Sequence, residues 1–435
     1  MKRVWISCVL VMLAAPSLAI VGTVDDVPAA TLLLPYFEVD LDNPDGVTTL
    51  MSINNASAAA VLAHVVLWTD LSVHVLDFNI YLTGYDVQTL NLRDILVHGN
   101  LPLTADEAND PSGSVSPQGP ASLEASFPGC PGILPYSNPA LDATYLDHVQ
   151  SALTGQASVV FFDGLCSGVE HGDRIARGYV TVDAVSECST DFPQDPGYFL
   201  TGGLGTATNQ NVLWGDYYYV DSDQDFAQGE TLVHIEADAR LGAADYTFYY
   251  RYALGADNRE GLGNIFAVRF IDGGQFDGGT SLLVWRDAKR SVQPFSCALE
   301  APAPFPLGQN QLVVFDEEEN FEVPEGCTIS PCDPGETLTP FPWETQRTKV
   351  RGPALPATPN FGWIYLNLNL EVSASPVPFA QLMQNWVSVV MDAKGRLSVG
   401  FDAIQLGNVT DTAGAPDDCI HTLDDGGPVL PCLEP

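Results

Sequence analysis

Lysine is scarce in this sequence: four residues (Lys2, Lys289, Lys349 and Lys394) in a chain of 435. Lysine and arginine together number 17 against 55 aspartates and glutamates, a formal net charge of −38. Nucleic acids and anionic lipid surfaces are held by clusters of Lys and Arg, so this balance argues against both as partners. It suits cation binding, or solubility through self-repulsion. Histidine is scarce too, at seven, and no HExxH or HxH spacing occurs among them. There is no glycine-rich phosphate loop opening a helix, no internal repeat of fixed period and no long low-complexity tract. No later segment has the length and apolarity of a membrane helix, which needs about 20 residues.

What is present begins with MKRVWISCVLVMLAAPSLA. Lys2 and Arg3 precede an apolar run from Val4 to Ala15, and Ser17-Leu18-Ala19 follows, the pattern of a secretory signal peptide cleaved after Ala19. The run is too short to span a bilayer, and Cys8 lies inside it. The expected location is secreted or periplasmic. Removal of this segment leaves eight cysteines: Cys130, Cys166, Cys188, Cys297, Cys327, Cys332, Cys419 and Cys432. An even number on an exported chain reads as disulfides. Proximity favours Cys166–Cys188, Cys327–Cys332 and Cys419–Cys432, which leaves Cys130–Cys297 as the long link. A zinc-thiolate site is the weaker alternative, because CxxC spacing is missing. Hydrophobic residues make up 46% of the chain, enough to build a core and to exclude disorder.

Short alternating runs predict strands at 48–54, 61–69, 75–83 and 87–92. A second group covers 157–162, 175–185, 212–220, 231–237, 246–252, 264–271 and 281–286, and a third 363–372, 386–391 and 396–404. Ala63-His64-Val65-Val66-Leu67-Trp68 is apolar on both faces, as a central sandwich strand requires. Helices are few. Ser137-Asn138-Pro139-Ala140 opens one whose stripe is Leu141, Tyr145, Val149 and Leu153, ended by Gly155. A shorter turn runs from Arg93 to His98.

The expected fold is all-β: two immunoglobulin-like or jelly-roll-like β-sandwiches, with one or two short helices and Pro/Cys-rich connections. An N-terminal sandwich at 20–101 is expected to be completed by 360–409. A Pro/Gly-rich connection with one helix takes 102–156, a second sandwich 157–300, a Pro/Cys-rich acidic linker 301–359, and a disulfide-closed tail 410–435.

The stretch GDYYYVDSDQDF, Gly215 to Phe226, holds the most chemistry. Strand alternation puts Tyr217 and Tyr219 on one face and Tyr218 on the other. An exposed aromatic platform could stack on sugar rings; ordinary strand packing is the commoner reason for such residues. Asp221, Asp223 and Asp225 have the D-x-D-x-D spacing from which a curling loop can converge oxygen ligands on calcium, with Glu230 as a further ligand. The EF-hand pattern fails, since Phe226 and Leu232 stand where Gly and Glu are required. Asp40-Leu41-Asp42-Asn43-Pro44-Asp45-Gly46 is a second calcium candidate, with a plain acidic turn as the alternative for both.

No catalytic set stands out. Cys166 and His171 lie close in sequence, but an exported cysteine is more simply half of a disulfide than a nucleophile. Gly164-Leu165-Cys166-Ser167-Gly168 has cysteine where a hydrolase elbow has serine. Two sequons, Asn55-Ala56-Ser57 and Asn408-Val409-Thr410, bear on a host that glycosylates. The expectation is a non-catalytic protein with a structural, adhesive or surface-interaction role, whose partner is a glycan or another surface protein. A carbohydrate-binding module or glycan-acting hydrolase is the rival class.

Overall fold

Runs of β-branched and aromatic residues between Gly, Pro and Asn turns need neighbouring strands to satisfy their backbone groups. In the computed structural model, strands account for 40% of the described residues and helices for 6%, so the class is all-β. The structure describes residues 27–106, 108, 110–130, 140–243, 245–288, 292–299, 302, 305–309, 311–324, 339–369, 383–395 and 398–407. The expected signal segment, the Asn408 sequon and Cys327, Cys332, Cys419 and Cys432 lie outside them.

Four antiparallel sheets form two sandwiches. In the first, one sheet runs β10 (Val233–Ile235), β1 (Thr31–Asp40), β6 (Ile175–Val185), β3 (Val61–Thr69) and β4 (His74–Leu82). Its partner runs β5 (Val87–Asn91), β2 (Thr48–Asn55), β8 (Asp216–Asp221) and β9 (Phe226–Thr231), with β7 (Leu213–Trp214) also on β2. Leu32, Leu34, Val65, Phe78 and Val182 of the first sheet meet Met51, Ile53, Tyr217 and Tyr219 of the second in one apolar core. The helices α1 (Leu92–Leu96) and α2 (Ala143–Leu153) close an end of that core through Leu92, Ile95, Val149 and Leu153.

The second sandwich packs β14 (Phe321–Glu322), β13 (Gln311–Phe315), β16 (Phe361–Asn367), β11 (Ile265–Ile271) and β19 (Ile404–Gly407) against β15 (Thr345–Lys349), β12 (Gly279–Arg286), β17 (Asn385–Asp392) and β18 (Ser398–Asp402). Its core is Phe266, Val268, Val284, Val314, Ile364 and Val389 with their neighbours.

The strand pairing departs from the expected domain plan. Strands in 361–407 pair with β11, β12 and β13 and do not complete the N-terminal sandwich. That sandwich is completed by β6 to β10, from the middle of the chain. The Pro-rich 301–359 segment is no mere linker, because it supplies β13, β14 and β15. Of the expected strands, 157–162 is a series of turns, and 246–252 turns into the short helix α3 (Tyr250–Ala253). The second helix starts later than expected. Asp142 caps it by accepting from the amides of Thr144 and Tyr145, while 131–139 lie outside the described residues. Tyr145, placed on the buried stripe, is 41% exposed.

The disulfides are Cys130–Cys188 and Cys166–Cys297, so the expected Cys166–Cys188 and Cys130–Cys297 pairings are wrong. Proximity in sequence is undone by the single strand that runs between Cys166 and Cys188. The 11 residues of β6 span about 33 Å, far beyond the reach of a disulfide.

Several of the arginines are turned inward, although others stay exposed. Arg93 donates to the carbonyl oxygens of Asp40 (3.0 Å), Asn43 (2.6 Å), Gly46 (2.8 Å) and Val47 (2.9 Å). Arg286, fully buried, donates in the same way to the carbonyls of Phe341, Gly308 and Leu368 at 2.7–2.8 Å, and to Asn385 Oδ1 at 3.1 Å. Burial without an anionic partner pulls its pKa down to about 9. Arg251 pairs with Glu344 and lies 3.4 Å from Asp287. Arg347 reaches Glu38 of β1 at 2.6 Å and joins the two sandwiches.

Candidate functional site

In the Tyr217-Tyr218-Tyr219 run, alternation decides each ring's fate. Tyr217 and Tyr219 are 1% and 3% exposed and lie in the core, where the Tyr219 hydroxyl donates to Tyr36 O at 2.7 Å. Tyr218 points the other way and is 46% exposed. Its neighbour across the ladder is Gly229, and a Cβ there would lie 2.3 Å from Tyr218 Cδ1 and Cε1. Glycine therefore lets the ring lie over the adjacent strand. Trp214 shares this outward face, four positions back and about 13 Å away along the strand, and is 42% exposed.

β7 and β8 keep one register against β2, with Asn54 opposite Trp214 and Leu50 opposite Tyr218. Ser52 and Asp216 therefore sit between the two aromatics. Ser52 Oγ donates to Asp216 Oδ1 at 2.6 Å, and Asn54 Nδ2 donates to Ser52 Oγ at 3.0 Å. The next strand outward adds Val87, 56% exposed, and Thr89. Tyr85, 57% exposed, stands at the Trp214 end with φ +60°, a backbone conformation that bulky residues rarely adopt. Two open aromatic rings thus flank polar groups on a sheet face; Ser52 and Asn54 are themselves buried, and Asp216 is the partly exposed member. Among the described residues of the rows 50, 52, 54, 87, 89, 214, 216 and 218, Asp216 is the one carboxylate.

The other aromatics singled out from sequence are interior. Tyr246, Phe248 and Tyr249 are 3–4% exposed, and Phe248 stacks on Trp285 at 5.3 Å. They belong to a lid over the outer face of the sheet containing β1. Beneath it, Trp68 stacks on Tyr179 at 5.7 Å, and Asp183 accepts from Tyr198 (2.9 Å) and Tyr249 (3.0 Å).

The acidic residues are brought together only in part. Within its own turn Asp221 accepts from the Gln224 backbone amide at 3.2 Å and from Gln224 Nε2 at 2.8 Å. Asn43 Nδ2 donates to Asp223 Oδ2 at 2.5 Å, and Asp223 N donates to Asp45 O, so the two acidic loops meet. They border a recess of about 290 Å³ with Glu38, Asp40 and Arg347. Asp225 sits at the hairpin tip with φ +49°, and Glu230 lies opposite Tyr217, at the far end of the hairpin from the turn. Among the described residues no group of three or more His, Cys, Asp or Glu side chains is poised to hold a metal. In the Asp40–Gly46 loop, Arg93 occupies the carbonyl oxygens, and Asp40 Oδ1 accepts from the amides of Asp42 and Asn43.

Cys166 is disulfide-bonded, and His171 Nε2 lies 3.1 Å from Asp70 Oδ2, so these two do not form a cysteine–histidine pair. Sequence reasoning missed Trp214, although its parity with Tyr218 was available. Comparison with known protein families, curated proteins and solved structures finds no match to this chain. The fold places it among two-sandwich all-β proteins. Among the described residues no helix is long and apolar enough to cross a membrane.

Proposed function

We propose that this is an exported, non-catalytic surface-interaction protein whose contact face is the outer side of the sheet containing β2 and β8, and that its ligand there is a glycan. The observation that carries this reading is the exposed pair Trp214 and Tyr218 flanking the Ser52–Asp216 hydrogen bond. Open aromatic rings offer apolar area to the C–H faces of sugars, and the partly exposed Asp216 between them offers an acceptor to a sugar hydroxyl. A glycan hydrolase needs two carboxyl groups about 5–10 Å apart, and this face offers Asp216. That favours binding over hydrolysis. Export rests on the leader-like first residues and is consistent with the two disulfides.

The test is glycan-array screening of the oxidised protein, followed by calorimetry on the best oligosaccharide. Trp214→Ala and Tyr218→Ala should each weaken binding at least tenfold. Unchanged affinity in both, or an array with no glycan bound, sinks the reading and leaves a protein partner as the next question. Calcium stabilisation at the joined acidic loops is a separate proposal, supported by the Asn43–Asp223 contact. It predicts a calcium-specific rise in melting temperature that EDTA reverses and Asp223→Ala abolishes.

A further inference from the structure

The edge strand β4 borders a cleft of about 430 Å³ that no part of the reading above uses. Its walls include His74, Asp77, Tyr145, His148, Phe161 and Phe162. That volume is within the range of small-molecule sites.

One wall is aromatic and partly open. Tyr145 and Phe161 are 41% and 40% exposed, with ring centroids 4.4 Å apart. His148 lies 4.7 Å from Phe161 and 4.6 Å from Phe162. It is itself fixed, with Nε2 3.2 Å from Val75 O and Nδ1 2.6 Å from Ser158 Oγ. The carbonyl can only accept, so Nε2 carries the proton and Nδ1 takes the serine hydroxyl. His74 stacks on Phe192 at 3.6 Å, and burial, with lesser contributions from His148 and His64, lowers its pKa to about 4. Burial lowers the His148 pKa as well, so both imidazoles are neutral in neutral solution.

The cleft is also lined by Asp77, whose side chain is 17% exposed. Among the described residues no hydrogen bond reaches its carboxyl. The nearest basic atom is His64 Nε2 at 4.0 Å. Asn79 Nδ2 donates to Ser189 O, which turns Asn79 Oδ1 towards His64 Nδ1 at 3.1 Å. Burial lowers the His64 pKa, so the ring is neutral, and its Nε2 makes no hydrogen bond to Asp77. Burial, then Asp195 and Asp191, raise the Asp77 pKa to about 7. A carboxyl in an aromatic cleft, with further negative charge behind it, lacks the cation that would complete it. Ammonium groups are attracted both to carboxylates and to the faces of aromatic rings.

We infer that this cleft binds a small organic cation, an ammonium group on an apolar or aromatic body, with Asp77 as its anionic partner and Tyr145 and Phe161 as the wall against which the body packs. The ammonium meets Asp77 while the body displaces water from Phe161 and Phe162. This site is independent of the glycan face.

The test is calorimetric titration of the full oxidised chain at pH 8 with phenethylammonium chloride, against 2-phenylethanol as the neutral counterpart. The cation is expected to bind saturably, with the alcohol at least tenfold weaker. Asp77→Asn, which keeps the shape of the side chain, should reduce cation affinity at least tenfold, and Phe161→Ala several-fold. Circular dichroism melting checks that each variant is folded, and glycan affinity should be unchanged in Asp77→Asn. Equal binding of cation and alcohol, or unchanged affinity in Asp77→Asn, overturns the assignment. So does the absence of saturable binding up to millimolar concentrations by the folded wild-type chain.

Discussion

The two outer faces of the first sandwich are both aromatic, and they meet opposite fates. On the β1–β6–β3 sheet, Trp68, Tyr81 and Tyr179 are covered by Tyr198, Phe199, Phe248 and Tyr249. On the β2–β8 sheet, Trp214 and Tyr218 stay open to solvent. Residue type is shared, so composition does not decide exposure. The cover does: the segments between β6 and β7 and between β10 and β11 fold back over one sheet and leave the other bare. The covered face is anchored by a disulfide, Cys130–Cys188, and by buried polar groups around Asp183. An aromatic pair without such a cover is the one available to a ligand.

The largest expected effect comes from emptying the covered face. Trp68→Ala removes a ring that is 1% exposed and stacked on Tyr179, and should cost about 3–5 kcal/mol in denaturant unfolding of the first sandwich. A loss under 1 kcal/mol would mean that the lid is loose. Opening the anchor comes next. Cys130→Ser with Cys188→Ser releases a loop closed over 58 residues, a loss of about 2–4 kcal/mol. Tryptophan and tyrosine accessibility on that face should rise with it.

Acidity sharpens the contrast at the edge strand. The folded-state pKa of His74, about 4, lies below the ordinary imidazole value of 6.5. Its contribution is present above about pH 6.5 and is lost as pH falls towards 4. Asp77 is the reverse case: its folded-state pKa, about 7, lies above 3.8. Its penalty is absent below about pH 3.8 and grows as pH rises to 7. Asp77→Asn should therefore raise the melting temperature at pH 8 and leave it unchanged near pH 4. His74→Phe, which keeps a ring against Phe192, should flatten the loss between pH 6.5 and 4. Melting curves at pH 4, 6 and 8 check both. The smallest stability effect belongs to the open face, where Trp214→Ala and Tyr218→Ala should each change unfolding free energy by about 0.5 kcal/mol or less. A larger loss would make those residues part of the scaffold.

Much of the β-architecture was legible in the sequence, because strands buried on one or both faces must show it in their pattern. Val61–Thr69 and Ile175–Val185 run as their residues predict. β1 was missed, since Pro35 interrupts its pattern at the point where the ladder shifts register between Leu34 and Phe37. The strands in 301–359 were hidden by their prolines, and Tyr246–Tyr252 imitated a strand because an aromatic lid and an aromatic strand read alike. Pairing across the chain was not legible. Alternation states which residues face a core, and says nothing of which partner strand supplies the other half. The same gap produced the wrong disulfides. The open face was half legible: parity separated Tyr218 from its neighbours, but exposure depends on where distant segments come to rest.

The inward-facing arginines also determine how the molecule is digested. Trypsin cuts after Lys and Arg, and Arg93, Arg259 and Arg286 are 8%, 0% and 0% exposed. At these three positions the folded chain gives the protease nothing to grip, whereas Arg174, Arg269, Lys349, Arg351 and Lys394 are exposed. Arg240 is also exposed, at 68% of its side chain, and it lies in the segment between β10 and β11 that covers the aromatic sheet. An early nick there, followed by slow loss of the remainder, would time the opening of the interior.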